Sequence, residues 1–192
     1  MRNLLVAGNS TMPSSVGIFN IPALKTCTPS EWCREHCFAL QGKFIWKPVK
    51  EAHEWRYKMS LREDFPYRMI KEVRRRKSLK WIKIHITGDF YSKDYVEKWD
   101  IIARALPNII FRTNTKRQDL LPYMFTTFPP NIVVRESTDE SRKPLLPSLV
   151  PQASIKGTPG TEYFVICNDD CEKCNFYCWT HPNVDVVSSQ IR

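Results

Sequence analysis

The stretch Trp81-Ile82-Lys83-Ile84-His85-Ile86-Thr87, closed by Gly88-Asp89-Phe90, decides the fold. Isoleucine stands at every second position and alternates with Lys83, His85 and Thr87. That period of two belongs to a strand with one apolar face. The isoleucine face would pack on helices, while His85 and Thr87 would face a ligand-filled interior. Gly88 ends the strand.

Helical patterns flank it on both sides. Upstream, Pro48–Leu61 places Val49, Ala52, Trp55 and Met59 at helical spacing. A second helix is expected from Asp64, with Pro66 in its first turn and Met69, Ile70 and Val73 as its stripe. Downstream, Ser92 is placed to cap a helix that buries Val96, Trp99, Ile102 and Leu106 before Pro107 stops it. A short helix is expected near Asp119–Phe128. Further strands are expected at Gly17–Ala23, Ile109–Thr113, Ile132–Glu136 and Tyr163–Cys167. Lys143–Gly160, with four prolines and two glycines, reads as an irregular connection.

Strands separated by helices imply βαβ units and a parallel sheet. Five strands do not close an eight-stranded barrel. The expected fold is therefore α/β, a partial, open parallel β/α barrel of about five to six strands. Residues 1–160 would form that partial barrel. Residues 161–192 would add its last strand and a cysteine-rich tail to the same compact domain. Chemistry in such folds collects at the C-terminal ends of the strands. The Gly88-Asp89-Phe90 turn and both cysteine groups fall there.

The 192 residues are 42% hydrophobic and 26% charged, which excludes a disordered or collagen-like chain. The longest uncharged stretch, residues 3–24, is broken by polar residues and by Pro13 and Pro22 and holds no run near the roughly 18 apolar residues of a membrane helix, so no membrane partner is expected. Leu4–Ala7 is too short an apolar run for a signal peptide, and the expected location is the cytoplasm. Lys and Arg outnumber Asp and Glu by 29 to 20. Between Gly42 and Lys80 there are 13 basic and 5 acidic residues. Solvated helix faces explain such a stretch. So does a surface for nucleic acid or a phosphorylated molecule.

Seven cysteines fall in two clusters with 129 residues between them. Cytosolic thiols stay reduced, and an odd number argues against a disulfide framework. The first cluster is Cys27, Cys33 and Cys37, in CTPSEWCREHC. The last two lie four apart, so one helical turn would present both. Three thiolates leave one coordination position open, as catalysis requires. His36 is a candidate fourth donor or a solvent-facing neighbour. The second cluster is Cys167, Cys171, Cys174 and Cys178, in CNDDCEKCNFYC. Four thiolates fill a closed site. Their crowding within twelve residues suits an iron–sulfur ligand run, with zinc the alternative. Cys178 could serve either site.

Three blocks resemble the phage "gene product 88" family of cysteine-rich proteins: NSTMPSS…FNIPALKTCTPSEWCREHCFA, HITGDFYSKDYVEKW and CEKCNFYCW. More distantly, the chain resembles radical S-adenosylmethionine (SAM) enzymes. That resemblance implies a [4Fe–4S] cluster on Cys27, Cys33 and Cys37 with SAM on its open iron, and a second cluster at the C-terminal quartet. It implies that Thr87, Gly88, Asp89 and Phe90 form a SAM-contacting turn, with Asp89 receiving the ammonium of SAM. His85, Asn114, Lys116, Arg135 and Glu136 would line the substrate side, with Asp89, His85 and Glu136 as catalytic candidates. A reducing electron donor and a substrate of unknown identity would be the partners. The alternatives are an iron–sulfur protein without SAM chemistry, acting as a Lewis acid or carrying electrons, and a zinc-stabilised nucleic-acid-binding module.

Overall fold

A computed structural model describes residues 2–147, 149–155 and 157–188. The fold is mixed α/β around one eight-stranded sheet, in the order β1-β2-β3-β4-β5-β6-β8-β7. The strands are β1 (Val6–Ala7), β2 (Val16–Phe19), β3 (Trp81–Ile84), β4 (Ile110–Thr115), β5 (Ile132–Ser137), β6 (Gln152–Ile155), β7 (Val165–Cys167) and β8 (Val186–Ser188). Among these strands of the described residues, only the β1–β2 pair is antiparallel. The helices are α1 (Glu31–Glu35), α2 (Lys47–Ser60), α3 (Phe65–Arg75), α4 (Lys93–Arg104), α5 (Leu121–Thr127) and α6 (Tyr177–Thr180). Among the described residues, no helix is long and apolar enough to cross a membrane.

Proline in the first turn starts α2, α3 and α5, where its missing N–H costs nothing. Ser92 caps α4 by accepting the Tyr95 N–H. These helices supply the core on one side of the sheet. Phe65 and Met69 of α3 and Tyr95, Trp99 and Ile102 of α4 pack against Phe19, Ile82, Ile84 and Phe111. The opposite face carries a smaller apolar cluster of Val16, Ile18, Trp81, Ile110, Trp179 and Val186. A sheet covered on both faces is what parallel pairing demands.

Three expectations are corrected. The sheet has eight strands rather than five or six, because short strands escaped notice. β6 lies inside Lys143–Gly160 with a single buried residue, Ser154, and so shows no apolar period. β8 sits between β6 and β7 and pushes the expected fifth strand to the sheet edge. The first strand stops at Phe19, not Ala23. There the side chain of Asn20 accepts the N–H groups of Ile86 and Thr87 at 2.8 and 3.3 Å. Finally, β3 stops at Ile84, and His85 takes φ +61°. This left-handed residue breaks the alternation. Ile86 consequently packs with the smaller cluster, and the His85 ring meets Phe19, Phe90 and Tyr95.

Candidate functional site

Strand alternation sorts the side chains of the sheet. Ile82, Phe111 and Val134 face the helices, which leaves Lys83, Arg112, Asn114 and Arg135 on the other face. On that face lies a cavity of about 300 Å³. Cys27, Cys33, Cys37, Cys167 and Cys171 all line it, as do Lys83, Arg112, Asn114 and Lys116. Residues more than a hundred positions apart in the chain thus border one space.

The first cysteine loop is held from two sides. Ser30 caps α1 by accepting the Cys33 N–H and donates its hydroxyl to Asp139 at 2.6 Å. The Trp32 N–H donates to Ser141, and Arg142 donates to the Thr28 carbonyl. The segment after β5 therefore clamps this loop. Cys33 lies in α1, but Cys37 falls just beyond it, because the helix ends at Glu35. His36 stacks on Trp32 with ring centroids 4.4 Å apart, and both rings border the cavity. Burial pushes the Cys27 thiol up to about 12, assisted by the Asp89 carboxylate. Burial also raises Cys33, while the Lys116 ammonium acts against that rise.

The turn after β3 couples both sides of the site. Gly88 takes φ +82°. A methyl group there would sit 2.4 Å from Ile21 Cγ1 and 2.8 Å from the Ile21 carbonyl oxygen. Thr87 donates to that same carbonyl. Asp89 accepts from the Phe90 N–H, the Thr115 hydroxyl and the Lys116 N–H at 2.7 to 2.8 Å. Burial raises its pKa, and these three donors oppose the rise. Asp89 is thus a strut between the β3 turn and the end of β4. His85 lines the cavity too, with Nε2 2.8 Å from the Tyr95 hydroxyl. Burial lowers its pKa to about 3, aided by Lys83, so the ring stays neutral.

Three expected site residues lie elsewhere. Phe90 is fully buried in the helix-side core against His85, Tyr95 and Phe128. Glu136 shares the helix-side face with Val134. Its carboxylate accepts from Gln118 and from the Leu145 N–H, which anchors the chain after β5. Arg135 is on the cavity face but beneath the lining. It donates to the carbonyls of Val184 and His181.

The C-terminal quartet sits on a tightly turned loop. Asp169, Asn175 and Phe176 all take positive φ, and Phe176 is fixed by stacking on Trp81 at 4.4 Å. Cys167 and Cys171 border the cavity, Cys174 is exposed and Cys178 is buried. Burial raises Cys171 to about 11, and the neighbouring Cys178 adds to the rise. Arg112 donates to Cys178 Sγ at 2.8 Å. None of the seven cysteines is joined in a disulfide. Among the described residues, no three His, Cys, Asp or Glu side chains converge into a ready ligand set.

Sequence reasoning missed Lys83 and Arg112 as site residues. The alternation that exposed Lys83 was legible in WIKI, but lysines and arginines on strands are normally assigned to solvent. Here burial, and the charge of Arg112 opposite, drive the Lys83 pKa well down.

The model of the "Gene product 88" family matches residues 2–156, which include the first cysteine group and stop short of the second. The "Gene 88 protein" of Mycobacterium phage L5 is 25% identical over 144 residues, covering 69% of this chain. The chain spans 60% of that relative's length. No solved structure matches. With its cavity-bordering first cysteine loop inside the matched region, the chain belongs to the gene product 88 family.

Proposed function

We propose that this protein is an iron–sulfur protein, resembling radical SAM enzymes, whose two cysteine groups serve one ligand cavity. The observation that supports this reading is the shared border: Cys27, Cys33 and Cys37 and, from the other end of the chain, Cys167 and Cys171 line the same space. Cys27, Cys33 and Cys37 would hold a [4Fe–4S] cluster with one open iron. Cys167, Cys171, Cys174 and Cys178 would hold a second cluster, or zinc. Soft thiolate sets suit both. Metal loading would draw the thiols of each group together and release their protons, which the raised pKa values of Cys27 and Cys171 retain until then. When bound, an open cluster supplies one-electron reduction and cleavage of SAM.

The chain's own residues would orient and exclude water. Thr87 and Gly88 shape the turn, and Asp89 fixes that turn to β4. Trp32 and His36 border the cavity beside the first cysteine loop. Asn114 would contact the substrate in the cavity, and neutral His85, its ring packed on Phe19, Phe90 and Tyr95, would support the cavity from behind. A reducing electron donor is required. The test is reconstitution with iron and sulfide under anaerobic conditions, followed by electron paramagnetic resonance of the reduced protein. Added SAM should change the cluster signal in the wild type and leave the Cys33→Ala spectrum unchanged. A wild-type spectrum indifferent to SAM would leave an iron–sulfur protein without SAM chemistry.

An exposed basic face favours a second reading, a zinc-stabilised nucleic-acid-binding module. Lys47, Lys50, Lys58, Lys71, Arg74 and Arg75 are all exposed on α2 and α3. Zinc in the purified protein, with nucleic-acid affinity falling steeply as salt rises, would support it.

A further inference from the structure

Hydrogen-bond donors without partners gather on one wall of the cavity. Lys83 on β3 and Arg112 on β4 are direct register partners. Arg135 on β5 is the register partner of Asn114, two residues beyond Arg112. All three basic side chains are at least nine-tenths buried. Among the described residues, no carboxylate lies within ion-pair distance of any of them. Lys83 Nζ has no hydrogen-bond partner, nor has Arg112 Nε. The Trp179 indole N–H, also buried, has none either. The Arg112 guanidinium lies 5.9 Å from the Trp179 ring. Lys83, Arg112 and Trp179 all line the cavity.

The carboxylates that line the cavity are already engaged. Asp89 gives its oxygens to β4 and to its own turn. Asp169 accepts from the Cys167 thiol. Cys178 meets one Arg112 nitrogen and leaves Lys83 unserved. Burying cations and indole N–H groups without acceptors is strongly unfavourable. A wall on which unmet donors predominate favours a ligand rich in acceptors. Met12 and Ile86 beside it provide apolar walls for the remainder of such a ligand.

We propose that Lys83, Arg112 and the Trp179 indole form an oxyanion subsite that takes the carboxylate or phosphate group of a small-molecule ligand. The subsite names the ligand class of the cavity. It rests on reading the cavity as a ligand site, not on which metal the thiols hold.

The test is calorimetric titration of the anaerobically purified protein with inorganic phosphate and, separately, with acetate and succinate, at constant ionic strength. Saturable binding of phosphate alone identifies a phosphate ester, and of the carboxylates alone a carboxylic acid. Lys83→Met should weaken that binding tenfold or more, as expected for losing a charge-assisted hydrogen bond. The exposed Lys80→Met should leave it unchanged. If Lys83→Met does not fold, Trp179→Phe removes the indole donor while keeping an aromatic ring, and must weaken the same ligand. No saturable binding in the wild type, or equal binding in Lys83→Met, overturns the subsite. Metal loss from Lys83→Met with anion binding intact also overturns it, because the cations would then serve the thiolate centre.

Discussion

Gly88→Ala tests the coupling between the β3 turn and the first cysteine loop. The φ of +82° alone would cost an L-residue about 1–2 kcal/mol. The added methyl would also meet Ile21 Cγ1 at 2.4 Å, the Ile21 carbonyl oxygen at 2.8 Å and Thr26 Oγ1 at 2.9 Å. The Ile21 side chain can rotate away, but a backbone carbonyl cannot. Overpacking of this kind adds about 1–3 kcal/mol. The sum, about 2–5 kcal/mol, is a large share of a typical domain's stability. For a chain of this length it lowers Tm by about 5–15 °C. Relief would come by displacing Ile21–Cys27, since the Asp89 N–H donates to Thr26. Circular-dichroism melts and urea titrations read the loss. Gly42→Ala is the control, because Gly42 takes φ +56° with nothing within 4 Å of an added methyl. A Gly88→Ala loss no larger than that of Gly42→Ala would refute the packing argument.

Three other perturbations have definite outcomes. His85 is held down to about 3 and His53 to about 4, both chiefly by burial. Their stabilising contribution is complete above pH 6.5 and is lost as pH falls below it, because only the unfolded chain takes up the protons there. The expected slope is about 1.4 kcal/mol per pH unit for each histidine, and His53→Gln should remove one histidine's share in urea titrations from pH 7 to pH 4.5. Glu72 accepts the N–H groups of Leu4 and Leu5 and pairs with Arg76 at 2.8 Å, so Glu72→Ala should cost about 1–3 kcal/mol and speed hydrogen exchange at those two amides. Cys174→Ala should lower thermal stability in the metal-loaded protein and not in the metal-free one, because a filled four-thiolate site contributes folding energy; equal melts in the loaded state would contradict that role.

The sequence made the helices and the central strands legible because each carries its own signal. Pro66 with Met69 and Val73, or Ser92 with Trp99 and Ile102, states a start and a buried face within one turn or two. The His85 inversion was not legible. It depends on the Asn20 side chain, 65 residues earlier, holding the Ile86 and Thr87 amides after the backbone ladder ends. β6 and β8 escaped because Ser154 of β6 and the Val186-Val187 pair of β8 are too few to set a period. The candidate site was legible as two thiol groups at strand ends. Glu136 was placed wrongly by location alone: the strand period that puts Val134 on the helix side carries Glu136 there too. The same period places Lys83 and Arg112 in the cavity, but only the structure shows that they are about nine-tenths buried.

The central claim is that the seven cysteines hold iron–sulfur clusters. Iron, acid-labile sulfide and zinc measured together on protein purified without oxygen test it most directly. The account predicts a brown protein with iron and sulfide in equal amounts, about four of each per [4Fe–4S] cluster, and a fall to the quartet's share alone, or to zinc alone, in Cys33→Ala. A colourless wild-type protein, free of iron and sulfide whether or not it carries zinc, would contradict it.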